Sequence, residues 1–326
     1  MNFQSFLSFL TSLLLLTTSL NPQLLAATKI SQASGNWSNV GVWGGAVPAA
    51  DDDIIISSGT TVHVDIDFTV SMTFRNLSIE KGGSLVVGLN DVKLRIKGNI
   101  KNDGTINFWQ SSTYQADIWL YGNTEWSGTG IWNLSNINVQ GNSLEPASGL
   151  TLTLNGSLTA YNGSSFNKLN RYPNITIIIR GTLNTMIPSY PDFYYGHLII
   201  DKIFEGIERP VEFSPSTSLN AIKLSGDLIL VSSTDRLVVT SNNTLTIHGK
   251  VTGAGSISGS TTSSLIIDNI DEAAINPLRI RSGTSFKEFI INRRAGVSLA
   301  TSSGASPPWP ARSRQPHPRT YMLVYI

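Results

Sequence analysis

From Asp53 onward, apolar and polar residues alternate with period two along almost the whole chain. In "TVHVDIDF", Val62, Val64, Ile66 and Phe68 fall on one side of an extended strand, and His63, Asp65 and Asp67 on the other. The segments "LTLTLNGSLTA", "NITIIIRGTLNT", "GDLILVSS", "RLVVTSNNTLTIHG" and "SSLIIDN" repeat this alternation in short runs. No stretch of useful length after the first thirty residues carries a helical period. The pattern predicts an all-β protein made of many short strands.

A polar–Gly–x–aliphatic step punctuates these strands at Gly98, Gly104, Gly156, Gly181, Gly226, Gly249 and Gly255. Successive steps are often roughly 20–25 residues apart, the length of one coil of a β-solenoid. Each coil would bury an inward aliphatic stripe against its neighbours, with Gly and Asn supplying positive φ at tight corners. The prediction is a right-handed parallel β-helix (β-solenoid) with an N-terminal Trp-rich cap. A two-sheet β-sandwich is the alternative. Between residues 104 and 156 the spacing is irregular and coils are not assigned.

Composition narrows the class. The chain has 326 residues, of which 40% are hydrophobic and only 14% charged, with a formal net charge of +1. Without clustered Lys and Arg beside aromatics, nucleic acid is not an expected partner. There is no cysteine, which excludes thiolate metal sites, cysteine nucleophiles and disulfides. Residues 1–27, with an apolar run from Phe6 to Leu16 and the small pair Ala26-Ala27, read as an export signal peptide. That run is too short and too interrupted for the roughly 20 apolar residues of a membrane span. The mature chain is therefore expected to be secreted or held at the cell surface, without a membrane span. An export product without disulfides fits a bacterial source.

The stretch "GNWSNVGVWGGAVPAADDDIIISSGTTVHVDID", together with the residues just C-terminal to it, carries a family resemblance. Trp37 and Trp43, Gly44-Gly45 with Pro48, the Asp before Ile54-Ile55-Ile56, Gly59-Thr60-Thr61-Val62, "LSIEKGGSLVV" and the steps at Gly98 and Gly104 stand in order. Over roughly residues 35 to 110 the chain resembles the eight-glycine domain, an N-terminal module of large secreted bacterial β-solenoid surface proteins. That resemblance implies an extracellular β-helix with carbohydrate or adhesion roles, and it brings no catalytic residues. Domains are expected at 28–110 (the capped module), 111–300 (further coils) and 301–326, a proline-rich tail that is disordered or read from a shifted frame.

Candidate sites come from residue type. Trp37 and Trp43 are expected to cover the open end of the solenoid, since exposed strand edges invite end-to-end stacking. Asp51, Asp52 and Asp53 are read as a turn with one Asp bonding backbone amides, in preference to a calcium loop, which needs alternating oxygen ligands and a glycine turn. His63, Asp65 and Asp67, about 7 Å apart along a strand, are read as a solvent-facing ladder. His197, His248 and His317 suggest no triad or metal set. The richest aromatic zone is "NFWQSSTYQADIWLYGNTEWSGTGIWNLS". From it Trp119, Tyr121 and Trp126 are proposed to stack on sugar rings, whose C–H faces are apolar. Asn-x-Ser/Thr triplets at Asn36, Asn76, Asn133, Asn155, Asn162, Asn174 and Asn242 are read as chance matches in an Asn- and Ser-rich chain.

The expected function is a non-catalytic exported surface or adhesion module that contacts extracellular glycans or cell-surface components, with no cofactor and no metal. The alternative is a polysaccharide lyase or glycoside hydrolase on the same fold. Hydrolysis would need two carboxylates about 5–10 Å apart. Asp65, Asp67, Asp91 and Asp117 are available, but no motif groups them.

Overall fold

A computed structural model describes residues 26–140, 143–160, 175–189, 193–203, 208–215, 217–268, 278–292, 299–301 and 322–324. Most of the expected signal segment, most of the tail, His317, Asn162 and Asn174 lie outside the described residues. Among the described residues there is no α-helix, and the one helical turn is a 3₁₀ turn at Val40–Trp43.

The chain winds as a parallel β-solenoid of three faces. The first face is a six-stranded sheet running from Thr28–Ile30 to Ser143–Pro146. The second is continuous over ten strands, from Gly35–Asn36 to Val251–Gly253. The third begins only at Val92–Ile96 and runs through Tyr114–Leu120 and Ile137–Val139 to Leu158–Ala160. Beyond residue 174 the second face carries on while two new six-stranded sheets take over the other positions. One of them starts at Thr185–Ile187, which lies beside Leu158–Ala160 and so prolongs the third face. Register gives coils from 19 residues (Ile118 opposite Ile137) to 30 (Leu198 opposite Leu228). At a strand spacing of about 4.8 Å, the second face is roughly 43 Å long.

Alternation becomes burial directly. On the second face Val62, Leu85, Ile106 and Trp132 stack in register and are all fully buried or nearly so. Burying an aliphatic side chain of this size stabilises by about 1.5–3 kcal/mol, and the stripe repeats on every coil. This repetition holds the described coils together.

The recurring glycines stand at coil corners, but for another reason than expected. Of the seven steps at Gly98 to Gly255, only Gly181 has positive φ (76°). A Cβ on Gly104 would lie 2.3 Å from the Gly83 carbonyl oxygen, and one on Gly130 would lie 2.3 Å from that of Gly104. The Thr105 and Ile131 amides donate to these same two carbonyls, at 3.0 and 2.8 Å. Glycine is required because successive coils touch backbone to backbone. Left-handed backbone is carried by other glycines, Gly59, Gly82 and Gly149 among them, and by Asp51, Asp91 and Asn242 (φ 62–68°).

The irregular stretch after residue 104 also resolves. Its coil is 26 residues long (Thr105 opposite Ile131) because an antiparallel excursion, Trp109–Ser111 against the start of Tyr114–Leu120, is inserted in it. At the far end, Met322–Val324 pairs antiparallel with Glu288–Asn292.

Trp37 and Trp43 lie where the first two coils have no third-face strand. Trp37 is fully buried, with ring centroids 4.8 Å from Trp43 and 5.2 Å from both Phe68 and Phe74. Phe74 bridges to Ile96 on the first third-face strand. The Trp43 indole Nε1 donates to the Trp37 carbonyl at 2.8 Å. Four aromatic side chains thus fill the corner of the prism that no strand yet closes.

Candidate functional site

Outward side chains of the third face form a grid set by register. Lys93 and Arg95 stand on one strand, opposite Asp117 and Trp119 on the next. Asn138 follows Trp119, and Thr159 follows Asn138. Inward neighbours Leu94, Ile118 and Leu120 are fully buried, which fixes the direction in which the grid faces.

Its centre is Arg95, 7% exposed. The guanidinium lies 4.9 Å from the Trp119 ring centroid and 5.6 Å from that of Tyr121. Its Nε donates to the Phe68 carbonyl at 2.5 Å, and a terminal nitrogen donates to the Tyr121 hydroxyl. Cation–π attraction of this kind is worth about 0.5–2 kcal/mol per ring. It holds both half-buried rings in fixed orientation, with a rim on solvent. Sequence reasoning missed Arg95. Its signal was available in "VKLRIKG", where Lys93, Arg95 and Lys97 alternate with buried residues.

Trp126 does not join this surface. It is fully buried and stacks on Trp132 with centroids 4.8 Å apart and planes 11° apart. The Gly122 corner separates it from Trp119, and Asn123 and Glu125 take the outward positions of its strand. Trp126 is core, and the proposed sugar-stacking set reduces to Trp119 and Tyr121.

The carboxylates are spread, and Asp65, Asp67 and Asp117 are engaged by the fold. Asp65 accepts from the Ser38 amide at 3.0 Å and hydroxyl at 2.5 Å, and Asp67 accepts from the Lys93 amide at 2.9 Å. Asp117 accepts from the Asn136 side-chain amide at 2.8 Å. Burial pushes its carboxyl above the usual range; the Asn136 amide pulls it back, and the Asp91 charge pushes it further up. Within the acidic triplet, Asp51 pairs with Lys97 and Asp53 with Arg75. The Arg75 guanidinium holds the Asp53 carboxyl below the usual range. The buried Asp52 accepts from the Ala27 and Ala49 amides at 2.9 and 2.8 Å. Among the described residues no group of three or more His, Asp or Glu is placed to hold a metal ion.

His197 and His248 sit at one corner of the second half, whereas His63 stands on the second face beside Asn36. The His197 imidazole Nδ1 accepts from the Asp227 amide at 3.0 Å, and His248 Nδ1 lies 3.1 Å from the Asp268 carbonyl. Both sew adjacent coils together. Two of the Asn triplets do the same: Asn133 donates to Asn107 at 2.6 Å and Asn155 to Asn133 at 2.7 Å, one coil apart each time. Asn155 is 1% exposed, which removes it as an attachment point for sugar.

Fold and grid together define a parallel β-solenoid whose third face presents aromatic rings around a cation. Residues 42–162 match the G8 domain family model. The family assignment made from the sequence is corrected by this match: what fits is the G8 domain over 42–162, in place of the eight-glycine domain over roughly 35 to 110. The match spans the strands from Asp53–Ile56 to Leu158–Ala160 and ends where the sheets of the first and third faces give way to their successors. No curated protein and no solved structure matches the chain. The G8 match and the solenoid are consistent with an extracellular or surface module. Among the described residues no helix is long and apolar enough to cross a membrane.

Proposed function

We propose that this chain is an exported, non-catalytic surface module that contacts extracellular polysaccharide through the third face. The observation that carries the reading is the ordered pair Trp119 and Tyr121, braced by Arg95 on the outward side of a rigid sheet. Aromatic rings held in this way offer flat apolar area at little cost in side-chain entropy, which is what sugar C–H faces require. The surrounding Lys93, Asp117 and Thr159 supply polar contacts for hydroxyl groups.

Affinity electrophoresis tests the reading. Migration of the intact chain should be retarded in gels containing the right soluble polysaccharide, and Tyr121→Ser should restore free migration. Unretarded migration through a broad polysaccharide series would sink it, as would equal retardation of the Tyr121 variant.

A further inference from the structure

Asp52 differs from its two neighbours. Asp51 and Asp53 are half-buried or exposed and each holds a cation, whereas Asp52 is 4% exposed and makes no side-chain ion pair among the described residues. Both its oxygens are nonetheless used. One accepts from the Ala27 amide at 2.9 Å, across 25 positions of sequence, and the other from the Ala49 amide at 2.8 Å. Ala27 is held from its other side as well, because its carbonyl accepts from the Asp53 amide at 2.8 Å. The first strand, Thr28–Ile30, starts at the next residue. A buried carboxylate with neutral donors alone is an expensive group, and an ammonium on either oxygen would relieve it.

The geometry points to a processing site between Ala26 and Ala27, whose product places the new α-ammonium of Ala27 on the Asp52 carboxylate. This inference rests on the export reading. Cleavage by a signal peptidase adds water across the Ala26–Ala27 peptide bond. Ala26 leaves with a carboxylate, and the Ala27 nitrogen takes up protons to become an ammonium. One hydrogen of that ammonium keeps the existing bond to Asp52, which becomes charge-assisted. Cleavage one residue later, after Ala27, would remove the donor and leave an Asp52 oxygen buried without it. The boundary therefore moves from 27 to 26, and maturation locks the first coil shut. Ala27 is exposed and Ala26 only partly covered, so the bond between them is within reach of a peptidase. The charged groups beside the site are Asp51 with Lys97 and Asp53 with Arg75.

Two measurements test this. The first is intact mass and N-terminal sequencing of the exported full-length product, which should begin at Ala27. A product beginning at Thr28 or later overturns the site, and an unprocessed product overturns the export reading along with it. The second uses the chain started at Ala27 by removal of a cleavable leader, with its α-amine titrated by NMR. An opposite charge this close raises an amine by about 1–3 units, above its ordinary value of about 7.7–8.0. The shift should vanish when Ala26 is retained, a change that leaves the fold intact, and in Asp52→Asn. An ordinary α-amine in the Ala27 chain overturns the ion pair whatever the outcome of the first measurement.

Discussion

Replacing Gly104 with alanine separates the two reasons a corner may need glycine. Its Cβ would lie 2.3 Å from the Gly83 oxygen and 2.4 Å from the Glu80 oxygen, both backbone atoms that no rotamer change can move. Two coils must part locally, and the 3.0 Å bond from the Thr105 amide to the Gly83 carbonyl weakens with them. Overpacking of this kind costs about 1–3 kcal/mol, and loss of the bond adds about 0.5–1.5, giving roughly 1.5–4.5 kcal/mol. Gly59 makes the control. It has φ of 76° and nothing within 4 Å of the position a Cβ would take, so its alanine variant should cost only about 1–2 kcal/mol of backbone strain. Asparagine tells the two apart by sign. At Gly59 it should be milder than alanine, because Asn tolerates left-handed backbone; at Gly104 it should be worse, because it is larger. Urea unfolding followed by tryptophan fluorescence gives the four stabilities. If asparagine and alanine rank in the same order at both corners, the close-approach account of the glycine column is wrong.

Further substitutions probe other joints of the structure. Trp37→Ala empties a fully buried site ringed by three aromatics and should cost about 3–5 kcal/mol; an unchanged melting temperature would show that the aromatic corner is not holding the first coils. Lys202 is buried, donating to the Arg180 and Leu183 carbonyls and the Thr185 hydroxyl, and burial lowers its ammonium from 10.5 to about 8. The unfolded chain then binds the extra proton between about pH 8 and 10.5, so stability should rise with pH across that window. Lys202→Met should lack this rise, and parallel stability curves for the two proteins would refute it. Asn155→Leu cuts the ladder to Asn133 and the 2.9 Å bond to the Leu134 carbonyl, and should cost about 1–3 kcal/mol in the same unfolding assay; a neutral result would show that the ladder contributes nothing.

The solenoid was legible because period-two burial and a coil-length repeat are both local signals. Val62, Leu85 and Ile106 announce their inward side by alternation alone. The reason for the glycines was not legible, since positive φ and a touching backbone both forbid a Cβ, and only the neighbouring coil distinguishes them. Alternation also resets at every corner, so Trp119 and Trp126, on either side of Gly122, cannot be placed on one face by counting. The outward pair Asn123 and Glu125 did carry the correct parity for Trp126. Asn107, Asn133 and Asn155 recur at one-coil intervals of 26 and 22 residues, a periodicity hidden because Asn133 and Asn155 also read as sugar-attachment triplets. Arg95 escaped because basic residues alternating along a strand, here Lys93, Arg95 and Lys97, read as ordinary solvent-facing charges until the strand beside them is known to bring two rings.

The most direct test of the third-face account is a fluorescence titration with the polysaccharide that retards the chain. Trp37, Trp43, Trp126 and Trp132 are buried, whereas Trp109 and Trp119 keep partial exposure. Quenching is predicted for the wild type and for Trp126→Phe, and its disappearance is predicted for Trp119→Phe. Quenching that persists undiminished in Trp119→Phe would place the glycan elsewhere on the molecule and contradict the account.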